Sequence, residues 1–489
     1  MKKLEKNKTK FKLSSLLTIL FFITAIIIFL SWIPGLTENG PASIVQVISA
    51  PIEGFVLQAD RFVFLFIASG FIFVVIKSET FERSLGQLFY KFKNKEIWLI
   101  PILVTVFSIF GSFLGFGENV LIFYAFLIPI FLNLKFDVMV GAMIIFFGFT
   151  IGVISSTFNT FAIKAAVDAA LENGVNDISI IHGIIIRFCS LILLNLTVSI
   201  FIILYALKIK KNPKSSTFYN EQSLFLANFP LIDKEPYTKR HKIILIIFFI
   251  SLMSIILGMI PWDFIFNNNF FLNIHKTLLK EMPYLLTIFN QFGNWSYIEF
   301  SAILLISSII IGVININNNN MDFNNFLQGT KNIINIVFVI ALSTGIGLIM
   351  SDKYTGMGSV IVASVLKNTE NANNSLYIIV NFFTFIFLSF LIPTTSGFIS
   401  GFFPTIAKLT NEIAPEMVSG TITSFSFANG IASLFSPTSA VLLSTLSISK
   451  ITYKNFIKST WKLTISIFII CFLLLILGSG IKTSTFLWF

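Results

Sequence analysis

Residues 435–443 read FSPTSAVLL, and they place a proline between hydroxyl side chains within a long apolar run. A second apolar run is interrupted by ISSTFNTFA at residues 154–162, again by hydroxyl side chains and an asparagine. In hydrocarbon, a helix can be interrupted only where the freed backbone groups are packed in protein or face a wet cavity, because each unpaired group costs several kcal/mol. The two stretches therefore predict broken helices around an internal site.

The composition is that of a protein that crosses a membrane many times. Of the 489 residues, 55% are hydrophobic and only 12% are charged, and the mean hydropathy is +0.87. The charged residues lie in blocks separated by apolar runs of about 18 residues or more, which is long enough to cross the hydrocarbon core. We therefore expect an all-α polytopic membrane protein, because helices satisfy their own backbone groups in lipid.

The sequence lacks the common catalytic and metal-binding motifs GxSxG, HExxH, CxxC and GxxxxGK. His182, His241 and His275 are far apart, and Cys189 and Cys471 lie singly in apolar spans. These features disfavour a membrane-embedded enzyme, and we expect neither a metal nor a cofactor. Nucleic acid is not an expected partner, because the formal charge of +11 is spread over loops and forms no basic face.

The distribution of Lys and Arg predicts the topology. The basic N-terminal stretch precedes an apolar helix near residues 16–31 without a cleavage motif, so we expect an uncleaved first helix. With the N-terminus in the cytoplasm, nine spans and two hairpins bring about 25 of the 34 Lys and Arg residues inside, as the positive-inside rule requires. The loops predicted to be cytoplasmic are 1–12, 77–95, 133–137, 208–242, 315–331 and 450–462.

An internal repeat relates the two interruptions. SFLGFGENVLIFYAFLIPIF begins at Ser112 and SFLIPTTSGFISGFFPTIAK begins at Ser389, and each passes through a polar turn into an apolar segment that contains proline. Hydroxyl-rich breaks follow at Ser156 and Ser436. In the predicted topology the first hairpin enters from inside and the second from outside, which predicts an inverted-topology repeat with a re-entrant hairpin and a broken transmembrane helix in each half.

This repeat divides the chain into five regions. The longest polar stretch lies between the halves and is rich in Lys. The regions are an N-terminal helix and external loop (1–60), a first repeat half (61–207), a cytoplasmic linker (208–242), scaffold spans with an Asn-rich loop (243–332) and a second repeat half (333–489).

The ends of broken helices are suited to charged ligands. A half-helix N-terminus offers N–H groups and partial positive charge to a carboxylate, and a C-terminus offers carbonyl groups to a cation. For either break alone, a kink stabilised by hydroxyl groups is the alternative, but we expect both breaks and both hairpin tips (115–119 and 393–397) to meet near the membrane midplane. The candidate substrate- and ion-binding residues are Glu118, Asn119, Ser155, Ser156, Thr157, Asn159, Thr160, Thr394, Thr395, Ser396, Gly397, Ser436, Pro437, Thr438 and Ser439.

Two charged residues lie within the apolar segments. An acid at membrane depth is costly and usually functional, so Glu118 is expected to take up a proton, bind a cationic substrate or support a coupling ion; the alternative is a tip that reaches water. Arg187 lies inside its span, where it can snorkel, pair with an acid such as Glu118 or serve a structural role, which we favour. Three GxxxG pairs are expected to pack helices closely: Gly111 with Gly115, Gly148 with Gly152, and Gly397 with Gly401.

The chain resembles the C4-dicarboxylate anaerobic carrier family, in its YfcC-like branch, within the ion transporter superfamily. The resemblance implies a secondary transporter, with a homodimer of scaffold and moving transport domains as one arrangement. The branch includes dicarboxylate carriers and proteins assigned to arginine/ornithine exchange. The single acid of the first hairpin, Glu118 followed by Asn119, departs from the commonest hairpin pattern of the family. The matching stretches include GENVLIFYAFLIPIF, STFNTFA, IPTTSGFISGFFPTIAKL and SPTSAVLLSTLSISKITYKNF.

These observations predict a carrier in the cell membrane. Its substrate is expected to be a small carboxylate-bearing metabolite, a dicarboxylate or an amino acid, moved by ion coupling or exchange with elevator-like alternating access. Na⁺ and H⁺ both remain open as coupling ion. The alternatives are an arginine/ornithine-type basic amino acid antiporter and, less favoured, a channel or a membrane enzyme. Besides its substrate, the expected partner is the lipid bilayer.

Overall fold

The structure is a computed structural model, and it describes residues 13–81, 83, 84, 87, 95–115, 120, 123–134, 136–176, 178–212, 216, 237–266, 268–282, 289–315, 323–392 and 394–480. Throughout these residues the regular secondary structure is helical. Ten helical segments among them are long and apolar enough to cross a membrane. The predicted all-α polytopic fold is confirmed.

Eighteen of the nineteen α-helices of the described residues are numbered in chain order, and the four-residue helix Trp262–Ile265 is left unnumbered. Two π-helical turns, Phe110–Leu114 and Thr160–Lys164, extend α4 and precede α7. The α-helices are α1 (Leu13–Leu30), α2 (Gln46–Leu57), α3 (Ala59–Lys77), α4 (Leu99–Ile109), α5 (Tyr124–Asn133), α6 (Val138–Ser155), α7 (Ala165–Glu172), α8 (Ile184–Lys211), α9 (Lys239–Met259), α10 (Phe270–Glu281), α11 (Tyr297–Ile314), α12 (Phe323–Met350), α13 (Met357–Leu366), α14 (Asn374–Leu391), α15 (Thr395–Ile413), α16 (Val418–Phe435), α17 (Ala440–Ser449) and α18 (Tyr453–Gly480).

The helices pack in two groups. In the first group, α12 contacts α1, α2 and α3, while α11 packs between α3 and α9. In the second group, α6 contacts α4, α5, α8 and α16, and α16 also contacts α14 and α18. Helix α15 joins the groups, since it contacts α12 and α13 on one side and α7 and α16 on the other.

Within the second group, the two halves of the chain repeat the same packing. In the first half, α4, α6 and α8 contact one another, and α14, α16 and α18 do so in the second half. The helix after each break packs on the other half's hairpin: α7 contacts α15, and α17 contacts α5. Each half therefore contains a hairpin and a broken helix in the predicted order.

Close backbone contacts at glycines hold these helices together. A Cβ atom on Gly152 would lie 2.1 Å from the carbonyl oxygen of Ser108 in α4. Between the groups, a Cβ atom on Gly347 of α12 would lie 2.1 Å from the carbonyl oxygen of Gly397 in α15. Glycine is needed at such positions because only a residue without a side chain permits this approach, and van der Waals packing replaces the hydrophobic effect between helices in lipid. The predicted close-packing role of the glycine pairs is borne out at Gly152 and Gly397.

Residues 46–57 form helix α2, in the stretch that the sequence assigned to an external loop. Only Gln58 separates α2 from α3, and it interrupts the regular helical conformation with φ −106° and ψ 18°. Arg61 lies in the first turn of α3, whose residues Ala59–Lys77 are long and apolar enough to cross a membrane. Its side chain is buried, with 6% exposure.

Candidate functional site

The second break, residues 436–439, is explained by the proline at its second position. Ser436 has ψ 128°, which is the extended conformation that a following proline favours. Pro437 has no N–H group to leave unpaired. The hydroxyl groups of Ser436 and Thr438 lie 2.6 Å apart, and Ser439 caps the first turn of α17 through a hydrogen bond from the Leu442 N–H. The break therefore ends one helix and starts another with its own polar side chains.

The second hairpin tip lies between α14 and α15. Thr394 caps α15, because its hydroxyl accepts a hydrogen bond from the Gly397 N–H at 3.2 Å. Thr395 donates to Asn429 of α16 at 3.2 Å, and Asn429 donates in turn to Ser389 of α14 at 3.2 Å. Asn429 thus ties both arms of this hairpin to the broken helix.

The first break, residues 156–159, is closed by polar contacts with the first hairpin. Ser156 is left-handed, with φ 38° and ψ 58°. The hydroxyl groups of Thr157 and Ser112 lie 2.8 Å apart, and Asn159 accepts from the Phe161 N–H at 2.8 Å. The Asn159 amide also donates to the Ser156 hydroxyl at 3.1 Å. The Thr157 N–H also donates to the Ser112 hydroxyl at 3.1 Å, so two backbone N–H groups at this break are paired with side chains.

Arg187 closes the same break from α8, and its side chain is fully buried. One terminal nitrogen donates to the Ser156 carbonyl at 3.3 Å. The other donates to the carbonyls of Ile180 and, at 2.8 Å, His182. Nε donates to the Gly183 carbonyl at 3.3 Å. Among the described residues, the hydrogen-bond acceptors of this guanidinium are thus four backbone carbonyls, in agreement with the structural role favoured from the sequence.

A cavity of about 80 Å³ lies where the second tip, the second break and the first hairpin meet. Such a volume holds several water molecules or the polar end of a small organic ligand. Its lining combines hydroxyl groups, one amide, one guanidinium and apolar walls. The described lining residues are Arg61, Gly115, Phe149, Thr150, Val153, Ile340, Thr394, Thr395, Asn429, Ser433, Ser439, Ala440 and Val441.

The electrostatics of this cavity favour an anion. Two helices begin at its wall, α15 at Thr395 and α17 at Ala440, and helix N-termini carry unpaired N–H groups and partial positive charge. Arg61 of α3 is the only charged side chain among the described lining residues. Its guanidinium donates to the Ser396 hydroxyl and lies 4.2 Å from the centre of the Phe161 ring.

Three of the fifteen predicted site residues line the cavity: Thr394, Thr395 and Ser439. Glu118 and Asn119 lie outside the described residues, as does the side chain of Thr160. The others do not line the cavity, and all are buried except Pro437, which is partly buried. These nine residues are Ser155, Ser156, Thr157, Asn159, Ser396, Gly397, Ser436, Pro437 and Thr438.

Sequence reasoning missed four polar lining residues, which are Arg61, Thr150, Asn429 and Ser433. Arg61 could have been found from the apolar stretch on each side of it, which marks it as a charge flanked by apolar residues. Thr150, Asn429 and Ser433 lie within the broken helices before the breaks. Both helices are buried on nearly all sides, so periodicity gave no sign of which face meets the cavity.

Comparison with known proteins identifies the family. The sequence profile of the C4-dicarboxylate anaerobic carrier family matches residues 4–479. The chain belongs to this family. The resemblance seen in the sequence motifs is thereby confirmed.

Two relatives of this carrier cover most of it. An uncharacterized protein of Haemophilus influenzae is 25% identical over 435 residues, which are 87% of this chain and 77% of the relative. A protein of Escherichia coli described as a putative basic amino acid antiporter, YfcC, is 22% identical over 407 residues, or 81% of this chain and 72% of the relative.

Two solved transporters share the fold of this carrier. The YdaH transporter of Alcanivorax borkumensis, described as having an unusual topology, aligns with a TM-score of 0.55, 12% identity and coverage of 96% of this chain and 97% of that one. MtrF of Neisseria gonorrhoeae, described among antimetabolite efflux pumps, aligns with a TM-score of 0.50, 11% identity and coverage of 95% and 94%. Family and fold together identify a multi-pass membrane transporter.

Proposed function

We propose that this protein is a secondary active transporter of a small carboxylate-bearing metabolite, a dicarboxylate or an amino acid. The observation that carries the proposal is the cavity that Arg61 shares with the N-termini of α15 and α17. A guanidinium binds a carboxylate through charge-assisted hydrogen bonds, and helix N-termini are ready-made anion sites. The hydroxyl groups of Thr394, Thr395 and Ser439 supply neutral contacts that fix the orientation of the ligand.

A second candidate is exchange of basic amino acids such as arginine and ornithine. It is favoured by the description of the Escherichia coli relative as a putative basic amino acid antiporter. An amino acid also carries a carboxylate, so Arg61 and the helix N-termini serve both candidates equally. Glu118 distinguishes them, because it would pair with a cationic side chain but would repel a dianion unless protonated.

We further propose that the repeats have inverted topology and that transport proceeds by an elevator-like movement of the second helix group against the first. The separate packing of the two groups supports this proposal, as does their connection mainly through α15. The first group would then act as the scaffold in the membrane. A homodimer formed through the scaffold is compatible with this arrangement.

The orientation proposed from the sequence places the N-terminus and the 208–242 linker in the cytoplasm of a cell-membrane carrier. A single cysteine at Ser215, in a background without Cys189 and Cys471, tests it. An impermeant thiol reagent should label this cysteine in inverted vesicles and leave it unlabelled on intact cells. Labelling on intact cells alone would overturn the orientation.

The function is tested by counterflow in proteoliposomes that contain the purified full-length carrier. Vesicles are loaded with succinate, arginine or ornithine, and uptake of the labelled compound is measured. Replacing Arg61 with glutamine should lower the apparent affinity roughly 10-fold to 100-fold, since a hydrogen bond to a charged group is worth about 1.5–3 kcal/mol. Lys462→Gln, which changes an exposed cation in α18, is the matched control and should leave uptake unchanged.

Several outcomes separate the candidates. Counterflow of succinate supports dicarboxylate transport, and counterflow of arginine against ornithine supports basic amino acid exchange. Uptake that is equal in wild type and Arg61→Gln would contradict the role assigned to the cavity. Uptake that never exceeds equilibrium under any imposed gradient would indicate a channel and overturn the carrier proposal.

A further inference from the structure

We infer that Arg187 is a tethered cation that fills the cation position of the first break, so that no sodium ion binds there during transport. The inference rests on the proposed function, because it concerns how the carrier is coupled. In inverted-repeat transporters, coupling cations bind to unwound backbone carbonyls and to half-helix C-termini. The first break has both features, since α6 ends there and Ser156 is non-helical.

The guanidinium of Arg187 contacts the backbone carbonyl oxygens around this break, as a bound cation would. It is fully buried, and it donates to carbonyl oxygens from three sides: Ser156 at the end of α6, Gly183 before α8, and Ile180 with His182 in the connecting turn. Its charge therefore lies among oxygen dipoles within protein. A charge in this position is stabilised by the negative end of the α6 dipole.

Three further carbonyls at the end of α6, those of Gly152, Val153 and Ile154, accept protein hydrogen bonds. The Gly152 carbonyl accepts from the Ser156 N–H at 2.8 Å. The Val153 and Ile154 carbonyls accept from the Ser426 hydroxyl of α16 at 3.2 and 2.9 Å. A sodium ion would have to displace these donors and also approach a fixed positive charge. Both effects oppose its binding.

The carbonyls of the second break have different partners. The Phe435 carbonyl accepts from the Tyr453 hydroxyl at 2.5 Å, and the Ser436 carbonyl accepts from the Ser439 N–H at 3.1 Å. These donors are neutral. The fixed charge thus belongs to one break of the pair, and the carrier is driven by exchange or by protons without a sodium ion at the first break.

The test compares wild type, Arg187→Ala and Arg187→Lys as purified full-length carriers. Unfolding midpoints are measured in sodium chloride and in choline chloride at equal ionic strength, and again with added methylguanidinium. Wild type should unfold at the same midpoint in both salts. Arg187→Ala should unfold about 5 °C or more below wild type, and methylguanidinium or sodium should restore about half of that loss in a saturable manner because the carbonyls again receive a cation. Arg187→Lys should lie between the two and gain less from either cation.

A merely structural arginine would give a different result, because neither sodium nor methylguanidinium would rescue Arg187→Ala selectively. That outcome would overturn the inference. If Arg187→Ala does not fold, binding of radioactive sodium to wild type decides. Sodium binding that is lost in Ser426→Ala would contradict the inference, and absence of such binding would support it.

These readouts need no substrate, so they are separable from the proposed function. A carrier that moves no carboxylate in counterflow, yet unfolds identically in both salts and is rescued at Arg187→Ala, would overturn the proposed function alone. A carrier that moves carboxylates only with a sodium gradient, through sodium binding lost in Ser426→Ala, would overturn the inference alone.

Discussion

The two breaks interrupt helices of equal length, since α6 and α16 each have 18 residues, yet they are built differently. Residues 156–159 are filled with contacts to the first hairpin and closed by the buried guanidinium of Arg187. Residues 436–439 are held by neutral donors, and Ser439 opens onto the cavity. At equivalent positions of the two halves, the first break is thus filled by protein contacts, whereas the second break lines the cavity.

This difference predicts that the first break serves the stability of the fold and the second break serves ligand contact. Backbone groups of the first break pair with protein groups, and residues 156–159 do not line the cavity, so the polar residues of this break hold the helices together. At the second break, the start of α17 remains available to a ligand. Substitutions in the first break should therefore reduce folding, whereas those around the second should reduce transport.

The largest effect is expected at the close contact between α6 and α4. In Gly152→Ala, the new methyl group would lie 2.1 Å from the Ser108 carbonyl oxygen and 2.7 Å from the Ser112 nitrogen. Both are backbone atoms, so the helices must move apart, at a cost of about 3 kcal/mol or more. The unfolding midpoint and the yield of folded carrier measure the loss. Gly312→Ala is the control, because its new methyl group would meet no atom within 4 Å apart from its own helix. Equal midpoints for both variants would contradict the close packing of α6 on α4.

The next effect compares two asparagines. Asn159→Ala removes the acceptor of the Phe161 N–H and a donor to Ser156, and should destabilise the carrier by about 2 kcal/mol. Asn429→Ala removes contacts to Thr395 and Ser389 at the cavity wall. It should lower kcat/KM about 10-fold with a smaller change in the unfolding midpoint. Should Asn429→Ala prove the less stable variant and Asn159→Ala the less active one, the division between the breaks would be reversed.

A smaller effect is expected from Pro437→Ala. Alanine removes the bias that holds Ser436 extended and adds an N–H group, so α16 can continue into the break. We expect stability to change by about 1 kcal/mol or less and the KM for the transported substrate to rise several-fold. Midpoint and initial-rate measurements on one preparation test this. An unchanged KM would mean that the shape of the second break does not matter for binding.

The smallest effect concerns the opposite ends of the two helices. Asp137 caps α6 by accepting from the Val140 N–H at 3.0 Å and also accepts from Tyr205 and Ser216, whereas α16 has no side-chain cap. Burial raises the pKa of Asp137. The folded carrier therefore binds this proton more tightly, and the resulting stability is full below the unfolded pKa of about 4 and is lost as the pH rises through the raised pKa.

Asp137→Asn should remove this dependence. Midpoints of both proteins are compared across the pH range from acid to neutral. Wild type should lose stability relative to the variant as the pH rises. A difference that grows in the opposite direction would show that the hydrogen bonds to Asp137 outweigh its burial.

Much of the fold was predictable because polar interruptions are rare in apolar spans and each must be accommodated. Pro437 fixed the position of one break, and the SFL stretches at Ser112 and Ser389 marked the hairpins. The composition of the cavity was less predictable. Arg61 is buried against Phe161 and Ser396, which come from distant parts of the sequence, and Asn429 faces the cavity from a helix that is buried on nearly all sides. Which face meets a cavity depends on tertiary packing, which local sequence does not record.

The glycine contact between α12 and α15 has a mechanical consequence. Gly347 and Gly397 bring two backbones together without interlocking side chains, and Gly358 of α13 meets the carbonyl oxygen of Gly401 in the same way. Interdigitated side chains would have to move past one another whenever the helices slide. Glycines present no side chains at this contact, so they oppose sliding less. For a carrier that works by the proposed displacement, this glycine contact would let the helices slide, and a single added methyl group on either helix would hinder the movement.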